Sequence, residues 1–140
     1  MILYDLPEPP SANRYWRHAK GRTYLSAEAK AYRLAVADAY PHSTIAYPTE
    51  ALSIRFAWYR GKKSGDLDNR IKQLLDALCW LAYTDDKQIV HIECTRHDDN
   101  ERKGRVDIQI VSAVRLLPAV LGAAASLDAT TEEYSWIQHK

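Results

Sequence analysis

Cysteine is scarce. The 140-residue chain holds two, Cys79 and Cys94. Two are too few for a disulfide framework, and neither belongs to a C-x-x-C pair, so neither a stapled fold nor a thiolate metal site is expected. A reducing cytoplasm is the expected location. The first residues show no charged leader ahead of an apolar run, so no signal peptide is expected. The apolar stretch 113–126 carries Arg115 and Pro118 and falls short of the ~20 residues that a membrane span requires. No internal repeat is visible. Strong net charge is also missing. The balance is +1, which alone gives no reason to expect a nucleic-acid partner.

What remains is an ordinary globular composition, 46% apolar and 26% charged, in a length that makes one domain with a core of its own. Charge is unevenly placed. Residues 13–33 hold six Lys or Arg (Arg14, Arg17, Lys20, Arg22, Lys30, Arg33) against one acid, Glu28. Arg55, Arg60, Lys62, Lys63, Arg70 and Lys72 form a second basic group. Phosphate contacts depend on local basic density rather than on the total. A solvated surface explains the first group about equally well.

Periodicity gives an α+β outline. Residues 2–6 alternate weakly as a first strand, which Pro7, Pro9 and Pro10 stop. Residues 13–18 suggest a basic, aromatic-bearing loop, and 22–25 a short strand. Ser26 is a suitable N-cap for a helix that ends before Pro41. Residues 52–59 alternate Leu52, Ile54, Phe56, Trp58 against Ser53, Arg55, Ala57, Tyr59, which predicts a strand with one buried face. A second helix is predicted from about 66 or 67 to 80, with Leu67, Ile71, Leu74, Leu75 and Leu78 on one stripe. Asp68, Lys72 and Asp76 line a separate charged stripe. Strands follow at 88–94 and 106–111. The expected fold is a single α+β domain over residues 1–112, a mixed sheet with two main helices. A C-terminal extension over 113–140 is expected to be helical and to serve packing.

The segment Gly65-Asp66-Leu67-Asp68-Asn69-Arg70-Ile71-Lys72, followed by Asp85-Asp86, carries the chemistry. Close carboxylates repel one another and are stabilised by a cation between them. Oxygen-only donors favour a hard ion such as Mg²⁺ or Mn²⁺. There is a plainer explanation. Asp66 could cap the helix, and Asp68 could pair with Lys72 four residues on, for a few tenths of a kcal/mol to about 1 kcal/mol each. Chain length permits the richer reading. A helix from Asp68 to Cys79 is roughly 18 Å long, and the extended chain from Trp80 to Asp86 spans roughly 23 Å. Asp86 can therefore return beside its own helix. A separate His91, Glu93, His97 and Asp98 set makes zinc conceivable, although a histidine on a strand is more often structural.

Three ordered blocks resemble the RusA family of Holliday junction resolvases. They are Ser11-Ala12-Asn13-Arg14-Tyr15-Trp16-Arg17-His18 with Gly21-Arg22-Thr23-Tyr24-Leu25-Ser26-Ala27-Glu28; Asp66-Leu67-Asp68-Asn69-Arg70-Ile71-Lys72 with Leu75-Asp76-Ala77-Leu78; and Tyr83-Thr84-Asp85-Asp86-Lys87-Gln88-Ile89. The resemblance covers about residues 1–112. It implies a Mg²⁺-dependent endonuclease (Mn²⁺ substituting) with no small-molecule cofactor, which nicks four-way DNA junctions as a homodimer during recombination and repair. The family's metal-binding acids fall on Asp66, Asp68 and Asp86, and its catalytic lysine on Lys72. Asn13, Arg14, Arg17, His18, Lys20, Arg22, Lys62, Lys63 and Arg70 are then the expected DNA contacts. Tyr15 and Trp16 would either stack on unpaired bases or pack in the core. One departure is a helix-to-Asp85 segment about one residue short and without a glycine at the helix end, which leaves Asp85 as the alternative to Asp86 for the third ligand. The competing reading is a non-catalytic DNA-binding protein, for flaps or forks, that keeps the fold. Small resolvases of this type are often phage- or prophage-derived.

Overall fold

The computed structural model describes residues 1–62, 65–98 and 103–113. Lys63 and the extension beyond Ala113 lie outside these residues, and with them the helical expectation for the tail. Among the described residues ten elements follow in order: β1 (Ile2–Pro7), α1 (Ala12–Tyr15), β2 (Trp16–Ala19), β3 (Arg22–Leu25), α2 (Ala27–Ala39), β4 (Leu52–Arg60), α3 (Asp68–Leu78), a 3-10 turn (Asp86–Gln88), β5 (Ile89–Asp98) and β6 (Arg105–Ser112). The main sheet has the order β1-β6-β4-β5. β6 is antiparallel to both β1 and β4, while β5 runs parallel to β4. The sheet is therefore mixed and the domain α+β, as the pattern predicts.

A parallel pair cannot be joined by a tight turn and needs a crossover. Here α3 supplies it, between β4 and β5. Its apolar stripe is buried through Leu74, Leu75, Ala77 and Leu78. These pack in one core with Tyr32, Val36 and Tyr40 of α2 and with the Leu52, Ile54, Phe56, Trp58 face of β4. The other face of β4 is closed more tightly than simple alternation implies. Ser53 and Ala57 are buried there as well. β4 is central, paired with β6 and β5, and the same face carries the long side chains of Arg55 and Tyr59. Arg55 pairs with Glu93 at 3.0 Å, and Arg105 sits 3.9 Å above the Tyr59 ring.

Ser26 caps α2 as expected, its Oγ accepting from the Ala29 amide at 3.1 Å. The start of α3 differs from expectation. The helix begins at Asp68, the N-cap position is Leu67, and no side chain caps it. Asp66 is thus not a cap; it stands exposed ahead of the helix. Residues 13–18 also differ. They form one helical turn and then β2, which pairs with β3 as a hairpin from Trp16↔Leu25 to Ala19↔Arg22. Only Lys20 and Gly21 remain for the turn, both at positive φ (50° and 71°), the geometry a two-residue hairpin loop demands. Gly21 was the signal for it.

Candidate metal centre and nucleic-acid interface

Gly65 sets up the head of α3. Its φ is 102°, and an added Cβ would stand 2.9 Å from the Arg70 guanidinium and 3.5 Å from Trp58. The chain can enter α3 over Arg70 only because nothing projects there. Arg70 is turned inward. It lies 5.0 Å over the Trp58 ring and donates to the Pro9 carbonyl. Its charge serves the fold at this point. Asp66 and Asp68, just after Gly65, are exposed.

The segment after α3 turns back along the helix without a glycine. Trp80 takes the left-handed conformation instead, at φ 68°, with its ring exposed. The Trp80 amide donates to the Tyr83 carbonyl at 2.7 Å, and the Tyr83 hydroxyl donates to the Leu75 carbonyl at 2.7 Å. Tyr83 is wholly buried, and burial pushes its hydroxyl pKa strongly up, so it stays a donor. Gln88 then fastens Thr84 and Asp85 to the neighbouring chain. Its Oε1 accepts from the Thr84 and Asp85 amides and the Thr84 hydroxyl, and its Nε2 donates to the Tyr47 and Glu50 carbonyls.

This clamp separates the two neighbouring acids. Asp85 caps the 3-10 turn, its Oδ1 accepting from the Lys87 amide at 2.9 Å, and that bond holds its carboxyl below the ordinary range. Asp86 is exposed. It lines a depression of about 230 Å³ together with Ile71, Lys72, Leu75, Asp76, Ile89 and Ile92. The chain does turn back beside its own helix, but it brings Asp86 against the middle of α3, beside Lys72 and Asp76, and not to the N-terminal end where Asp66 and Asp68 stand.

Lys72 and Asp76 are the charged pair of that flank, Nζ to Oδ1 at 2.9 Å. The expected Asp68–Lys72 pair does not form; the lysine reaches forward instead. Its pKa is raised, chiefly by the Asp76 hydrogen bond, with Asp86 adding to the effect. A raised lysine pKa keeps the pair intact below the ordinary lysine value and loses it only as pH climbs through the folded one. The ammonium is therefore charged throughout the neutral range. Asp76 was legible only as part of a stripe; its role here depends on which neighbours α3 meets.

Asp66, Asp68 and Asp86 make no ion pair among the described residues. Nor do three His, Cys, Asp or Glu side chains among those residues already stand together as a metal cage. Mutual repulsion keeps uncompensated carboxylates apart. The zinc alternative fares worse. His91 Nδ1 lies 2.9 Å from Ser53 Oγ, Glu93 pairs with Arg55, His97 stacks on Tyr59 at 4.9 Å, and Asp98 pairs with Arg60 at 2.5 Å. Each of the four has a partner within the sheet. Both cysteines are free and half-buried, and burial pushes both thiols up.

The basic residues of the N-terminal half gather on α1 and the β2-β3 hairpin. Asn13, Arg14, Arg17, His18, Lys20 and Arg22 are all exposed, as is Lys62 beyond β4. Arg14 is 3.5 Å from Glu28, and His18 Nδ1 is 2.9 Å from Thr23 Oγ1. The two aromatics divide. Tyr15 is fully buried, while Trp16 is 41% exposed and joined on the hairpin by Tyr24 at 49%. α1 packs on α3, so this basic ribbon and the acidic end of α3 belong to one structural unit. Among the described residues no helix is long and apolar enough to cross a membrane.

A family model described as endodeoxyribonuclease RusA matches residues 7–111. Curated relatives named crossover junction endodeoxyribonuclease RusA are similar over about 90 residues. The protein from Escherichia coli K12 is 42% identical over 91 residues, which are 61% of this chain and 73% of the relative. The protein from Enterobacteria phage 82 is 43% identical over 91 residues, with the same coverage. That from Shigella sonnei is 40% identical over 91 residues, also with that coverage.

Proposed function

Since the chain belongs to the RusA family of endodeoxyribonucleases, we propose that it is a divalent-metal-dependent nuclease that resolves four-way (Holliday) junctions by paired nicks in opposed strands. The observation that carries this reading is the return of Asp86 to the flank of α3, where Lys72 stands. Asp66, Asp68 and Asp86 would hold the ion. The donor set fits a hard cation: three exposed carboxylates, all oxygen, none neutralised by an ion pair among the described residues. Mg²⁺ is the proposed ion and Mn²⁺ a substitute. Held there, the ion would supply Lewis acidity toward the phosphodiester and would orient the attacking water.

The side chains define the remaining steps. Lys72, held charged beside Asp86, offsets the negative charge that develops on the phosphate oxygens as water attacks. Hydrolysis leaves a 5′-phosphate and a 3′-hydroxyl. Asn13, Arg14, Arg17, His18, Lys20, Arg22 and Lys62 hold the DNA backbone, and exposed Trp16 stacks on unpaired bases near the crossover. A twofold dimer presents two such centres to a junction of matching symmetry, one for each opposed strand. The site of action is the cytoplasm.

The test is a synthetic four-way junction with Mg²⁺. Asp68→Asn is expected to bind the junction as tightly as the parent and to lose nicking by a factor of about 10² to 10³, the scale of one oriented group. Full cleavage by that variant would overturn the metal site. Junction binding without cleavage by the parent protein would favour the binding-only alternative.

A further inference from the structure

Lys72 is held in an unusual way. On a helix, a lysine is better paired with an acid four residues before it than with one four residues after, because of the helix dipole. Asp68 occupies the favourable position, yet Lys72 turns to Asp76. The choice makes sense once Arg33 of α2 is included. Asp76 Oδ1 takes Lys72 at 2.9 Å while its Oδ2 faces Arg33 at 4.0 Å. Each oxygen of the carboxylate thus faces one cation. Arg33 is itself fixed, its Nε donating to the Tyr15 hydroxyl at 2.9 Å and its guanidinium lying 5.9 Å from that ring's centre. Tyr15 is wholly buried at the end of α1. Asp76 is the least exposed of the three charged partners, at 16% against 65% for Lys72 and 40% for Arg33.

We propose that Asp76 is the positioning residue for Lys72, and that Arg33, anchored on Tyr15, holds Asp76 in turn. A lysine side chain has four rotatable bonds and little reason to stay in one place on an exposed helix face. A half-buried carboxylate fixed from its other side confines the ammonium to the wall of the depression that Asp86 lines. Asp68 is thereby left free of Lys72 and available as a ligand. The chain Tyr15–Arg33–Asp76–Lys72 also joins the DNA-holding turn of α1 to the chemistry on α3. Asp76 itself touches neither substrate nor ion in this scheme. It acts only through Lys72, and the proposal rests on the reading of Lys72 given above.

A double-mutant cycle tests it, measured as single-turnover nicking of a four-way junction in Mg²⁺. Asp76→Asn, nearly isosteric, is expected to lower the rate about 10- to 100-fold, the scale of a misplaced group. Junction affinity, the half-saturating Mg²⁺ concentration and the melting temperature should stay near parental values. Asp76→Glu should recover most of the rate. In a Lys72→Ala background, Asp76→Asn should cost nothing more. In ¹⁵N spectra of the lysine ammonium groups, the Lys72 resonance should be slow to exchange in the parent and lost in Asp76→Asn. Parental nicking by Asp76→Asn with Lys72→Ala inactive would overturn the positioning role alone. Equal losses in both backgrounds, or rescue of Asp76→Asn by excess Mg²⁺, would instead make Asp76 a metal ligand and also overturn it. Parental nicking by Lys72→Ala would remove the catalytic reading of Lys72, and this proposal with it.

Discussion

Gly65, Asp85 and Lys72 each show a single side chain, or its absence, setting the local chemistry. At Gly65 two constraints coincide, a φ of 102° and a guanidinium where a Cβ would go. Gly65→Ala is expected to destabilise the fold by about 1–3 kcal/mol, through left-handed strain and displacement of Arg70 from Trp58. Thermal unfolding measures that loss, and the nicking rate should fall with it, because Asp66 is the next residue. At Asp85 the carboxyl is depressed by the Lys87 amide. A depressed acid contributes stability above its unfolded pKa and loses it as pH falls through the folded one. The amide shift of Lys87 should therefore titrate with a midpoint below that of an ordinary aspartate, and Asp85→Asn should remove the titration. A midpoint at the ordinary value would show that the cap is not formed in solution. Asp86, one residue on, was preferred as the metal ligand on resemblance alone. The cap supplies a physical reason for that preference: Asp85 is already engaged with the backbone.

At the scale of elements, the turn from α3 to β5 does most to build the site. Its sequence lacks the expected glycine, and Trp80 bears the left-handed conformation instead. The segment is held from outside, by Tyr83 on Leu75 and by Gln88 on Tyr47 and Glu50. Gln88→Ala removes all of the side chain's bonds to this segment at once. The expected cost is about 1–3 kcal/mol in stability, with a larger proportional loss of nicking than of junction binding, since the clamp orders Asp86 and not the basic hairpin. Chemical denaturation read alongside the nicking and binding assays checks both parts. The β2-β3 hairpin was the element least legible beforehand. Residues 22–25 were expected as a short strand and are β3, but their partner 16–19 was read as loop, because its residues are too few and too polar to alternate. The limits of α3 moved for a related reason. Apolar periodicity marks which face is buried, but not where backbone geometry stops being helical.

For the whole molecule, the distribution of charge matters more than its sum. A net charge of +1 conceals a basic hairpin and an acidic helix end that α1 and α3 bring into one unit. If the hairpin holds phosphates, Arg17→Ala and Arg22→Ala should each weaken junction binding nearly independently of sequence. Each should also reduce the slope of log K against log salt by about 1. Unchanged slopes, measured by titration at several salt concentrations, would move the DNA to another face. Arg70 was expected among these contacts and is held against Trp58 and Pro9. Its substitution should lower stability more than it changes the slope.

The chain's linear order determined the α+β class, the Ser26 cap and the buried stripe of α3, because these depend on residue type and on spacings of two to four residues. The three blocks carried the family. Folding decided what depends on contacts between distant segments. It selected Asp76 over Asp68 as the partner of Lys72, since only the packing of α2 on α3 brings Arg33 there. It freed Asp86 by engaging Asp85, and it turned Arg70 inward. Charged groups take their roles from the neighbours that desolvate or pair them, and tens of residues separate those neighbours along the chain.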